Sequence, residues 1–75
     1  TDGDIRRMLS ERDSLKDVLA KDSMTKNPKT IQVTNLVSEA LDVLENNSIT
    51  QLVVLEGEKY IGIIHLHDIL KEGIL

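Results

Sequence analysis

Short apolar stripes alternate with polar breaks along this chain, and the spacing of each stripe predicts its element. Ile5, Met8 and Leu9 fall at i, i+3 and i+4, the spacing of one helix face. A first helix is expected to run to about Glu11. Thr1 or Asp2 would cap it, with Asp2 and Asp4 at its positive end. After a polar break, Ser14-Leu15-Lys16-Asp17 has the form of a capping box with Asp in place of Glu. It predicts a short helix through Ala20 that buries Leu15, Val18 and Leu19. Residues 24–30 read as a loop. Ile31 and Val33 alternate with polar neighbours, as in a short or edge strand. Val37, Ala40, Leu41 and Leu44 then form the clearest helical stripe. That helix is expected over 36–46, capped by Thr34 or Asn35 and ended by Asn46-Asn47-Ser48.

Two apolar runs follow, 52–55 and 60–64, around Glu56-Gly57-Glu58-Lys59. They predict a hairpin, with Gly57 supplying the turn conformation. Both runs are continuously apolar, so both sheet faces should be covered. A last helix begins near Leu66, with Gly73 as its stop. The order from residue 31 is β-α-β-β-α. The expected class is α+β, with a small, mostly antiparallel sheet packed on helices.

One pattern occurs twice. Asp4-Ile5 matches Asp68-Ile69, and Arg7 matches Lys71, at an offset of 64 residues, about one small repeat. The chain is therefore expected to open inside the last turn of a preceding repeat and to belong to a longer protein. The lack of an initial methionine agrees with this.

Composition narrows the picture. With 75 residues, no Phe or Trp and only Tyr60, the core must be small and aliphatic. A chain of this size without disulfides is marginal alone, so pairing with a second copy is expected. A net charge of −4 and a single aromatic oppose general nucleic-acid binding. No apolar run approaches the roughly 18 to 20 residues that span a bilayer, and no basic amphipathic helix favours a membrane surface. The absence of cysteine fits a cytoplasmic protein. No nucleophile–base constellation or Gly-rich phosphate loop is present, so no catalytic residue is assigned.

Met24-Thr25 with Pro28 and Ile31, the Val53-Val54 strand, and Gly62-Ile63-Ile64 followed by Asp68 together resemble a CBS domain, the regulatory module named after cystathionine β-synthase. Thr1-Asp2-Gly3-Asp4 resembles the end of a preceding CBS motif. The resemblance implies residues 1–12 as the remnant of a first motif and 13–75 as a second CBS domain. More narrowly, Thr1-Asp2-Gly3-Asp4-Ile5-Arg6-Arg7, Ile49-Thr50-Gln51-Leu52-Val53-Val54 and Gly62 to Leu70 resemble the C-terminal region of arabinose-5-phosphate isomerases. That family carries an upstream sugar-isomerase (SIS) domain and supplies 3-deoxy-D-manno-octulosonate (Kdo) for lipopolysaccharide and capsule. The catalytic domain would lie outside this chain.

The resemblance implies a regulatory ligand rather than a resident cofactor: an adenosine nucleotide such as AMP or ATP, or a nucleotide sugar such as CMP-Kdo. It implies Asp68 and Asp4 as ribose contacts, and Thr1 as a hydroxyl contact. His65 takes the corresponding place in the complete motif, where Ser or Thr is common, and can donate to a phosphate. Thr30 and Ile31 would wall the base pocket, and Gln51 and Leu52 would face them. Lys29 is a candidate phosphate contact, and His67 completes the set. His65, His67 and Asp68 have a superficial metal-ligand spacing. A turn into helix near Leu66 would separate the two histidines, and no metal is assigned. The competing expectation is a dimerisation module, self-associating through its helices, with a vestigial pocket.

Overall fold

In the computed structural model, residues 4–10, 14–21 and 28–72 are described. The expectations for Thr1, Asp2, Gly3, Met24, Thr25 and Gly73 concern residues outside them. A 3-10 turn at Ile5–Met8 is followed by α1 (Leu15–Lys21), β1 (Thr30–Gln32), α2 (Val37–Asn46), β2 (Gln51–Glu56), β3 (Lys59–His65) and α3 (Leu66–Glu72). The strand order is β1-β2-β3. β1 pairs parallel with β2, from Thr30↔Val53 to Gln32↔Leu55. β2 pairs antiparallel with β3, from Gln51↔His65 to Glu56↔Lys59. The sheet is thus mixed, with the longer ladder antiparallel, and the fold is α+β.

Three consecutive residues of β2 are buried, Leu52, Val53 and Val54, because the sheet is covered on both faces. Successive strand side chains point to opposite sides. Leu52, Val54 and Ile64 enter the main core with Ile31, Val37, Ala40, Leu41, Leu44 and Ile69. Val53 and Ile63 face the other way and meet Val18 of α1, flanked by Leu15, Leu55 and Tyr60. The capping box forms as read: Asp17 N–H donates to Ser14 Oγ at 3.1 Å, and Ser14 N–H to Asp17 Oδ2 at 3.4 Å. Leu19, expected in the buried side of α1, is 42% exposed.

Two helix starts differ from expectation. The first segment is a 3-10 turn rather than an α-helix, and Asp4 caps it, its Oδ1 accepting from Arg6 N–H at 2.8 Å. Residues i and i+3 eclipse in a 3-10 helix, so Ile5 and Met8 enter the core together. The N-cap of α2 is Leu36, not Thr34 or Asn35. Leucine has no acceptor, and Glu39 reaches back instead, taking Leu36 N–H at 2.7 Å and Asn35 Nδ2 at 3.1 Å. These bonds, the backbone one first, hold the Glu39 carboxyl below its ordinary pKa.

The opening segment is fastened to the rest of the fold at two points. Asp4 bridges Leu36 and Ser10 bridges Ile63, where Ser10 N–H donates to Ile63 O at 2.8 Å. At the C-terminal end of β3 no loop intervenes before α3. Leu66 N–H donates to Thr50 O at 2.9 Å, tying the start of α3 to the start of β2.

Candidate functional site

Asp68 is the third residue of α3, half-buried in its first turn. Lys71 and Glu72 follow at i+3 and i+4, on the same helix face. The Ser10–Ile63 bridge lays the opening segment beside this face. Asp68, Lys71 and Glu72 therefore line one open cavity of 300 Å³ together with Arg7, Met8, Leu9 and Ser10. Residues of the opening segment and of α3 meet here.

The other expected residues are distributed elsewhere. Asp4 lines a different cavity, of 660 Å³, with Arg6, Arg7, Val33, Thr34, Asn35 and Leu36. His65 ends β3 opposite Gln51, with Gln51 Nε2 and His65 Nδ1 3.5 Å apart. His65 and His67 share a 370 Å³ cavity with Thr50, Leu66 and Leu70. His65 closes a strand while His67 lies in the first turn of a helix, so the i, i+2 same-face spacing of a strand does not apply to them. Among the described residues, no three His, Cys, Asp or Glu side chains group as metal ligands do. Gln51 borders a smaller cavity with Ser48, Ile49 and Thr50. Lys29 and Thr30 are exposed at β1, and Lys29 O accepts from Val53 N–H at 3.2 Å. Ile31 and Leu52 are core residues. None of these four cavities is lined by Lys29, Thr30, Ile31 or Leu52.

Arg7, Ser10 and Lys71 were not among the residues expected at the site, yet they surround Asp68. The signal for two of them is in the sequence: Arg7 and Lys71 hold equivalent places in the repeated pattern. What the pattern lacks is any indication that both copies face a single cavity.

The fold and motif agree with comparisons to known proteins. Residues 15–74 match the CBS domain family, and the chain belongs to it. It is 36% identical over 76 residues to an arabinose 5-phosphate isomerase of Pseudomonas aeruginosa, and 33% identical over 75 residues to that of Yersinia pestis. All of this chain is covered in both matches, and 23% of each relative. An uncharacterized protein of Rickettsia prowazekii is 39% identical over 74 residues, again 23% of its length. The chain thus spans about a quarter of the curated relatives it matches. Among solved structures, a candidate signal-transduction protein with CBS domains from Burkholderia ambifaria aligns with TM-score 0.62 and 26% identity. That alignment covers 67% of this chain and 37% of the other. No helix among the described residues is long and apolar enough to cross a membrane.

Proposed function

We propose that this CBS domain is a regulatory module of an arabinose 5-phosphate isomerase, and that it senses a nucleotide or nucleotide sugar. In this reading residues 1–12 end a first CBS motif, 13–75 form the second, and a SIS domain upstream carries the catalysis. The observation that carries the reading is the placement of Asp68. A half-buried carboxylate shares an open cavity with cations from both copies of the repeat, so a ligand there would touch both motifs. A ligand that binds two arrangements of those motifs unequally shifts their balance, and only that difference regulates an attached domain. CMP-Kdo is the first candidate, as a later product of the pathway that the isomerase feeds; AMP and ATP are the others.

Thermal-shift titration of the chain with AMP, ATP, CMP and CMP-Kdo tests this. A ligand at about 100 times its dissociation constant stabilises by roughly 2.7 kcal/mol. A selective shift that Asp68→Ala abolishes supports a sensor. No shift with any of the four counts against it.

A second reading, a dimerisation module without a ligand, draws on one specific observation. Leu70 of α3 is 55% exposed, which leaves an apolar side chain on that helix for a second copy to cover. Sedimentation of the chain beside Leu70→Asp addresses it: dimerisation through this face requires the variant to be monomeric where the parent chain is not.

A further inference from the structure

Arg7 and Lys71 hold the same place in the two copies of the repeat, and the fold delivers both to the cavity of Asp68. The route has a local cause. A 3-10 helix has three residues per turn, so with Ile5 and Met8 committed to the core, Arg6 and Arg7 leave on its two other sides. Arg6 reaches Glu56, Nη2 to Oε2 at 3.0 Å. Arg7 lies on the Asp68 cavity. Lys71 arrives from the other side, one turn along α3 from Asp68.

Among the described residues the lining therefore presents two cations, two carboxylates and the Ser10 hydroxyl. A bare anion would gain beside Arg7 and Lys71 but lose beside Asp68 and Glu72. A neutral polyol would give the cations no charged acceptor. A molecule that joins a phosphate to neighbouring hydroxyls meets both demands. Its phosphate oxygens accept from Arg7 and Lys71, and its hydroxyls donate to the carboxylates. The volume of 300 Å³ is at the small end for ligand sites. No aromatic side chain lines it to stack a base; Tyr60 packs in the Val18 cluster on the opposite sheet face.

We infer that Arg7 and Lys71 bind the phosphate of the ligand at this site, and that the site reads the sugar phosphate and is indifferent to the base. The inference rests on the reading above, that Asp68 contacts a ligand.

Calorimetric titration of the 75-residue chain with ribose 5-phosphate, AMP, CMP, cytidine and inorganic phosphate tests it. Ribose 5-phosphate, AMP and CMP should bind within about tenfold of one another, and inorganic phosphate and cytidine much more weakly. Arg7→Gln and Lys71→Gln should each weaken the three phosphorylated sugars by about ten- to a hundredfold, while Arg7→Lys retains most of the affinity. Circular dichroism melts of the variants check that each is folded. Binding lost in Asp68→Asn but unchanged in Arg7→Gln and Lys71→Gln would overturn the phosphate assignment and leave the sensor reading standing. Tight AMP or CMP with no ribose 5-phosphate would overturn the indifference to the base. No binding of any probe would overturn both readings.

Discussion

The side-chain amide of Gln32 pairs with the backbone of Gly57 in both directions. Gln32 Nε2 donates to Gly57 O at 2.9 Å, and Gly57 N–H donates to Gln32 Oε1 at 2.9 Å. Gln32 ends β1 and Gly57 opens the β2–β3 turn at φ 65°. The amide thus imitates one more rung of sheet and ties the edge strand to the hairpin loop. Gln32→Ala removes both bonds. Each exposed bond contributes about 0.5–1.5 kcal/mol, so urea denaturation should show a loss of about 1–2 kcal/mol. A variant as stable as the parent would mean that solvent replaces the pair without cost.

Gly62 marks where the opening segment presses on β3. A Cβ built at Gly62 meets Leu9 Cδ2 at 3.1 Å, Cβ at 3.2 Å and Cδ1 at 3.4 Å. The Leu9 side-chain tip can rotate, but its Cβ moves only with the backbone. Gly62→Ala should therefore destabilise by about 1–3 kcal/mol, as overpacking does. Leu9→Ala in the same chain should recover part of that loss. The double-mutant coupling measures the docking of residues 4–10 on β3, and additivity would mean that they do not touch in solution.

The legibility of this fold follows its physics. The position of α2 was readable because its apolar stripe had one period, and the two-faced burial of β2 followed from its unbroken run Leu52-Val53-Val54; the i, i+3 spacing of Ile5 and Met8 suits either helix type and did not reveal the 3-10 turn. The Ser14–Asp17 box was visible because both partners lie within one turn. The cap of α2 was not, since Leu36 offers no side-chain acceptor and Glu39 supplies the bond from the other direction. Leu19 sits in the right periodic place, but α1 is only seven residues long and covers the sheet through Val18 and Leu15. For the candidate site, the place of Asp68 in a helix turn just after a strand was readable. Its neighbours Arg7 and Ser10 come from a chain crossing some 60 residues away in sequence, which no local pattern encodes.

Ser48 closes α2 in a backbone conformation better suited to glycine. Its φ is 54°. Ser48 N–H donates to Glu45 O at 3.2 Å and Ile49 N–H to Leu44 O at 3.0 Å, the two bonds of a Schellman motif. Ile49 packs against the core that holds Leu44, the apolar contact that accompanies the motif. A side chain in this region costs roughly 1–2 kcal/mol. Part of that returns as backbone entropy of the unfolded chain when glycine is introduced. Ser48→Gly should raise stability by about 0.5–1 kcal/mol in chemical denaturation. A destabilised Ser48→Gly would show that the serine hydroxyl matters more than the strain.

Val18 and Leu19 are adjacent but opposite in consequence. Val18 is fully buried against Val53 and Ile63, while Leu19 is 42% exposed. Val18→Ala should cost about 1–3 kcal/mol through lost burial and an unfilled gap. Leu19→Ala should change stability by about 0.5 kcal/mol or less. Hydrogen exchange in β3 should rise in the first variant and not in the second. Equal effects would mean that α1 does not cover the second sheet face.

Glu39 gives the acid limb of the stability curve a specific origin. The Leu36 backbone N–H, and then the Asn35 amide, hold its carboxyl below the ordinary value of 4.5. The unfolded chain therefore binds this proton more readily than the folded one. The stabilisation is complete above the unfolded value and is lost as the pH falls through the lower folded value. Glu39→Gln keeps an oxygen to accept from Leu36 but has no charge to lose. The parent chain should melt higher than Glu39→Gln near neutral pH, and the gap should narrow as the pH drops below about 4.5. Thermal melts of both proteins across that range make the comparison. A gap that stays constant with pH would assign the difference to hydrogen-bond geometry instead of charge.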